Sequence, residues 1–284
     1  MSVRLLIWIG LIAAVLVPQL GFAASKPELV KAQLLADTSN VKSGTPFTIG
    51  VLLTITPGWH IYWINPGDSG LATSVSFKVP KGFEAGPVRF PVPQRFDQPG
   101  NVVNFGYEEE VLLLATVTPP ADLPVGQSLE FAADVKFLCC NQVCIRGSTK
   151  SRLTFETSHD AKPANEQLFQ RWERQVPLPK PPEVIQSHLD LQSDGRGEIR
   201  VEWAKSPTNV QLFPGPSEAL MVSEVSIKTT GNASTIRFVI HRLAGLELRQ
   251  SLYPMVVGYA DAEGLRRGLE MNMPVSAITP ASHQ

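Results

Sequence analysis

Apolar residues along this chain fall into short runs of mixed β-branched and aromatic side chains, without the spacing of a helical stripe. The run FTIGVLLTIT (47–56) ends at Pro57-Gly58, a turn pair. Further strand candidates are VSFKV (75–79), VRF (88–90), EEVLLLATV (109–117), SLEFAADVKFL (128–138) and TKSRLTFET (149–157). Turn formers separate them, and nothing between them reads as a crossover helix. That pattern predicts an antiparallel sandwich over a parallel α/β sheet. Residues 158–182 change character: a short amphipathic helix is expected over Asn165–Arg174, with Leu168, Phe169 and Trp172 on one face. The proline-rich run Pro177–Pro182 reads as an extended linker. Beyond it, LDLQ (189–192), EIRVEWA (198–204), SEVSIKTT (223–230), STIRFVIHRL (234–243), YPMVVGYA (253–260) and GLEMNMPV (268–275) predict a second sandwich, with a hairpin at Asp261–Gly264. The expected organisation is therefore all-β: domains at 25–158 and 183–284, with a helix and linker at 159–182.

The first residues are set apart. Arg4 precedes an apolar run from Leu5 to Val17, Pro18 breaks it, and small residues follow at Gly21 and Ala23. That is the layout of an export signal, cleaved near Ala23 or Ala24. The run is too short for the roughly 20 residues that a membrane-spanning helix needs. No later stretch is apolar enough to span, so no stable membrane insertion is expected after cleavage. The mature protein is expected in the periplasm, where disulfides persist. Lys and Arg number 25 against 26 Asp and Glu, a net charge of −1. No field of one sign exists to hold nucleic acid, so that partner class is excluded. The tripeptide Asn232-Ala-Ser234 fits a glycosylation sequon, a pattern too common to assign a role.

Candidate chemistry is concentrated in FLCCNQVCIR (137–146), which holds all three cysteines: Cys139, Cys140 and Cys144. Adjacent Cys139 and Cys140 could bridge only through a strained ring. In an extended chain the Cα atoms of Cys140 and Cys144 would stand about 13 Å apart. A disulfide needs roughly 4.4–6.8 Å, so Asn141-Gln142-Val143 would have to fold back as a turn. Such a small ring adds only about 2 kcal/mol through loop entropy and suits exchange chemistry better than stapling. The spacing is neither C-x-x-C nor a haem or zinc pattern. Three readings stay open: redox exchange, a structural disulfide with a spare thiol, and a Cu(I) site made by Cys139, Cys140 and Cys144. Cys139 is the candidate for the thiol left over by one bridge.

The segment PGWHIYWINPGDSG (57–70), with FPVP (90–93), NFGY (104–107), EVLL (110–113) and LCCNQVCI (138–145), resembles the periplasmic N-terminal domain of DsbD-type thiol:disulfide interchange proteins. It is most similar to the two-module form of ScsB-like members. Over 160–275 the resemblance is looser, carried by Phe213-Pro214 and Arg267–Glu270. The resemblance implies immunoglobulin-like domains and no cofactor. It also implies a redox-active Cys140–Cys144 disulfide, with both cysteines catalytic. The partners implied are thioredoxin-like periplasmic proteins and a membrane-embedded electron donor. The chain ends at Gln284 without the family's membrane and thioredoxin-like domains, so the donor is expected to be a separate polypeptide. Two positions depart from the family pattern: Cys139 replaces an aliphatic residue, and Arg146 replaces a proline. The non-redox alternative is a Cu(I)-binding module linked to copper tolerance.

Trp59, Tyr62 and Trp63 suit a sandwich core or, alternatively, a loop shielding the cysteines. Asn65–Gly70 is rich in turn formers and reads as a loop. His60 reads first as a hydrogen-bonded structural histidine; beside a thiol its cationic form would lower the thiol pKa. Asp68, Glu108 and Glu109 read as solvated, though near the sulfurs they would raise that pKa.

Overall fold

The computed structural model describes residues 28–275 and 278, so the expected export signal and its cleavage site lie outside the described residues. The first unit is built from β1 (Val30–Ala36), β2 (Phe47–Ile55), β3 (His60–Gly67), β4 (Ser74–Lys78), β5 (Glu84–Ala85), β6 (Gln94–Gln98), β7 (Val102–Glu108), β8 (Glu110–Thr118), β9 (Ser128–Cys140) and β10 (Cys144–Glu156). These form a four-stranded sheet, β1-β2-β8-β5, and a six-stranded sheet, β10-β9-β3-β7-β6, with β4 beside β9. After α1 (Glu166–Glu173) and the proline-rich segment come β11 (Val184–Leu191), β12 (Arg196–Trp203), β13 (Thr208–Pro214), β14 (Leu220–Thr230), β15 (Ala233–Arg242), β16 (Leu252–Ala260) and β17 (Arg266–Pro274). They make the sheets β11-β12-β15-β14 and β13-β16-β17. The paired strands run antiparallel, and the fold is two immunoglobulin-like β-sandwiches.

Burial explains the strand patterns. β9 alternates over its first part, with Leu129, Phe131, Ala133 and Val135 turned inward. Phe131 meets Phe47, Phe83 and Phe155 edge-on at 5.5–5.9 Å. β8 does not alternate: Val111 to Ala115 are all fully buried. Its second face is covered because α1 packs against β8 and places Phe169 and Trp172 in the same cluster. The sequence pattern did not mark β1, β3, β5, β6, β7 or β13, and the expected strand VRF (88–90) is only an isolated bridge at Arg89. In β3 the turn formers Asn65-Pro66-Gly67 mask a strand that continues irregularly, with a register shift between Tyr62 and Gly67.

The sandwiches are packed on each other. Phe213 of β13 enters the first core, 5.2 Å from Phe105 and 6.3 Å from Trp63, both edge-on. Asn65 Nδ2 donates to the carbonyls of Pro214 (2.9 Å) and Gly215 (3.1 Å). The proline-rich segment is tied down rather than free: Leu178 N–H donates to the Gly268 carbonyl, and the Leu178 carbonyl accepts from Glu270 N–H. Val92 sits on the glycine pair Gly258 and Gly268, which face each other across β16 and β17.

A Cβ on Gly268 would come within 2.6 Å of Val92 Cγ2. Gly268→Ala is therefore expected to destabilise the protein by about 1–3 kcal/mol through overpacking. Urea unfolding measures this, and adding Val92→Ala should recover part of the loss as a non-additive coupling. Full additivity of the two substitutions would mean that the contact does not carry the effect.

Candidate functional site

β9 and β10 pair over their whole lengths without a register shift, and Cys140 lies directly opposite Cys144. Asn141-Gln142-Val143 make the fold-back, closed by the Asn141 N–H donating to the Val143 carbonyl at 3.1 Å. The Cα atoms come to 4.2 Å and the sulfurs are bonded. Successive side chains on a strand point to opposite faces. Cys140 and Cys144 therefore share the outer face of the six-stranded sheet, while Cys139 turns into the sandwich core and is fully buried. The three sulfurs considered for Cu(I) are not brought together, and no group of three His, Cys, Asp or Glu is assembled among the described residues.

The two bonded cysteines differ in access. Cys140 is 2% exposed and packs with Tyr62 and Leu138, whereas Cys144 is open to solvent. The Tyr62 hydroxyl donates to Cys140 Sγ at 3.3 Å. His60 is opposite Cys140 across β3 and β9. Its ring stacks on Phe96 at 4.9 Å and meets Tyr62 edge-on at 5.2 Å. So the buried side of the disulfide is walled by Tyr62, with His60 and Phe96 beyond. Phe96 was not anticipated: it is a lone aromatic in the polar stretch Gln94–Gln98, and only the pairing of β6 with β7 brings it to His60.

The loop after β3 lies over this wall. Gly70 has φ +103°, and a Cβ there would come within 2.4 Å of the Tyr62 ring, so only glycine lets the backbone rest on that ring. Asp68 holds the loop rather than facing the sulfurs: its Oδ2 accepts from Val103 N–H at 2.8 Å. Asn104 Oδ1 accepts from the Ser69 N–H and hydroxyl, and Asn65 Oδ1 accepts from Gly67 N–H. Of the residues expected to shield or tune the cysteines, only Tyr62 and His60 lie beside Cys140. Trp63 alternates to the other face and packs on Phe213, and Trp59 packs at the margin of the first core. The neighbouring Gly58 of the Pro57-Gly58 turn lies beside the Asn141 side chain, so this turn abuts the cysteine loop.

Burial sets the protonation states. It pushes the Cys139 thiol up to about 11, so this thiol stays protonated and unreactive near neutral pH. It also raises Tyr62, which keeps the hydroxyl a donor. Burial lowers His60 below its ordinary 6.5, and among the described residues Nε2 has no hydrogen-bond partner. The ring is therefore neutral beside the disulfide, not the cation that would activate a thiol.

Below pH 6.5 the unfolded chain takes up a proton at His60 that the folded chain resists, so this group makes stability fall as pH drops through that value. NMR titration should place the His60 midpoint below 6.5, and His60→Phe should remove this part of the acid destabilisation. A midpoint at or above the unfolded value would contradict it. Asn65→Ala removes the bonds to Gly67 N–H and to the second sandwich. It is expected to speed amide hydrogen exchange across Gly67–Gly70 and to accelerate disulfide reduction by dithiothreitol a few-fold. Unchanged exchange there would show that the loop does not depend on Asn65.

Residues 28–156 match the family described as thiol:disulfide interchange protein DsbD, N-terminal. The N-terminal periplasmic domain of ScsB from Proteus mirabilis is similar in fold, with TM-score 0.59 and 16% identity, covering 87% of this chain and 94% of that one. The reduced N-terminal domain of DsbD from Neisseria meningitidis overlaps 46% of this chain and 88% of its own at 13% identity, with TM-score 0.25. No curated protein matches the sequence. The family match thus covers the first sandwich, and the likeness to the ScsB domain is one of fold across both sandwiches.

Proposed function

We propose that this protein is a periplasmic thiol–disulfide exchange protein. Its Cys140/Cys144 couple relays two electrons from a membrane-embedded reductase of the DsbD kind to thioredoxin-like partners. The observation that carries this reading is the unequal pair: an open Cys144 bonded to a buried Cys140 across a three-residue turn. An incoming thiolate reaches Cys144 Sγ, and the S–S bond breaks toward Cys140. The departing Cys140 thiolate keeps the hydrogen bond from the Tyr62 hydroxyl, which favours the charged sulfur and makes it a better leaving group. The donor's second thiol then resolves the mixed disulfide, releasing Cys144 and leaving the donor oxidised. In the reduced protein Cys144 attacks the acceptor's disulfide, and Cys140 resolves that intermediate. The loop over Tyr62, fixed by Asp68, Asn65 and Asn104, limits approach to the Cys140 side. Cys139 takes no part.

Cys140→Ser is expected to accumulate a mixed disulfide through Cys144 with a thioredoxin-like protein whose single active-site cysteine is supplied as its thionitrobenzoate mixed disulfide, thionitrobenzoate leaving as the thiol. Cys144→Ser is expected to trap little, because Cys140 is buried. Non-reducing electrophoresis with mass mapping reads the result. Equal trapping by both variants would overturn the assigned order of attack, and continued exchange by both would overturn the function.

A further inference from the structure

The outer face that carries the disulfide is asymmetric in charge. Strand pairing puts Cys144, Cys140, His60 and Glu108 in one row across the sheet. Below that row on the β10 side, the same face carries Arg146, Lys136, Lys150, Lys78 and Arg152 against Asp134 and Glu130. Asp134 is already taken by Lys78 and by Lys150 at 3.7 Å, and Glu130 by Arg152 at 2.9 Å. Arg146 and Lys136 are exposed and have no carboxylate partner among the described residues.

Distance decides which charge an incoming group meets. Arg146 stands two residues along β10 from Cys144, about 7 Å, while Glu108 is three strands away, about 14 Å. At physiological salt the screening length is about 8 Å, so Arg146 dominates at Cys144.

We infer that this basic strip of the outer face docks the segment flanking the reactive cysteine of the thioredoxin-like exchange partner, and that this segment is acidic. The inference rests on the exchange function proposed above and names the kind of partner it selects. Carboxylates on the partner meet Arg146 and Lys136. The partner's disulfide is thereby presented to Cys144 Sγ. The covalent step balances as a dithiol–disulfide exchange: the partner disulfide becomes a dithiol while the Cys140 and Cys144 thiols become a disulfide, and the reverse reaction followed in the test passes through the same mixed disulfide.

The test uses the oxidised full chain and two synthetic dithiol peptides containing Cys-x-x-Cys, one flanked by glutamates and one by lysines. Reduction rates per peptide thiolate are compared at about 10 mM and about 300 mM salt. At low salt the glutamate peptide should react about tenfold faster than the lysine peptide, and the ratio should approach unity at high salt. The double variant Arg146→Glu/Lys136→Glu should invert the low-salt ratio. Should it fail to fold, Arg146→Gln is expected to lower the ratio at least about threefold. A low-salt ratio near unity in the parent protein, or a ratio unmoved by Arg146→Gln, would overturn the inference while leaving exchange intact. If neither peptide nor dithiothreitol reduces the disulfide, the exchange function fails and the inference falls with it.

Discussion

Cys140 and Cys144 stand opposite each other because β9 and β10 pair residue for residue up to the turn that joins them. That register, with the two-residue period of a strand, sorts the neighbouring sulfurs. The even-numbered positions of the hairpin face outward, so Cys140 and Cys144 meet there. The odd-numbered Cys139 is driven into the apolar core, where burial keeps it a thiol. A one-residue slip would exchange these roles and leave Cys144 opposite Cys139. The unbroken thirteen-residue pairing and the phenylalanine cluster beneath it hold the register.

Burial then makes the two bonded sulfurs unequal. Tyr62 reaches Cys140 from β3, and the loop that ends at Gly70 lies against the far side of the tyrosine ring. His60 adds bulk, not charge, since its desolvated ring prefers the neutral form. The outcome is a disulfide with one walled side and one open side, and the open side faces Arg146.

The second sandwich reaches toward this arrangement from behind. Asn65 joins the two: its carbonyl oxygen accepts from Gly67 in the site loop, and its amide donates to Pro214 and Gly215. Trp63, one residue beyond the tyrosine that faces the disulfide, points the other way and meets Phe213. A single strand, β3, therefore carries the wall of the disulfide on one face and the contact with the second sandwich on the other.

Local sequence alone was enough for the all-β character, most of the strands, and the spacing that obliges Asn141–Val143 to turn if Cys140 and Cys144 are to bond. These are matters of chain geometry and of apolar residues recurring at strand period, and both are written in consecutive residues. Face and neighbour were decided only by the tertiary structure. Tyr62 and Trp63 look alike as a pair of aromatics, yet strand parity sends one to the sulfur and the other to Phe213, which lies 150 residues further along the chain. Phe96 reaches His60 because β6 happens to pair with β7, and Asp68 became a loop clasp because Val103 lies within reach. Such contacts join segments that chain connectivity leaves independent, so their partners are settled only when the sheets assemble around a common core.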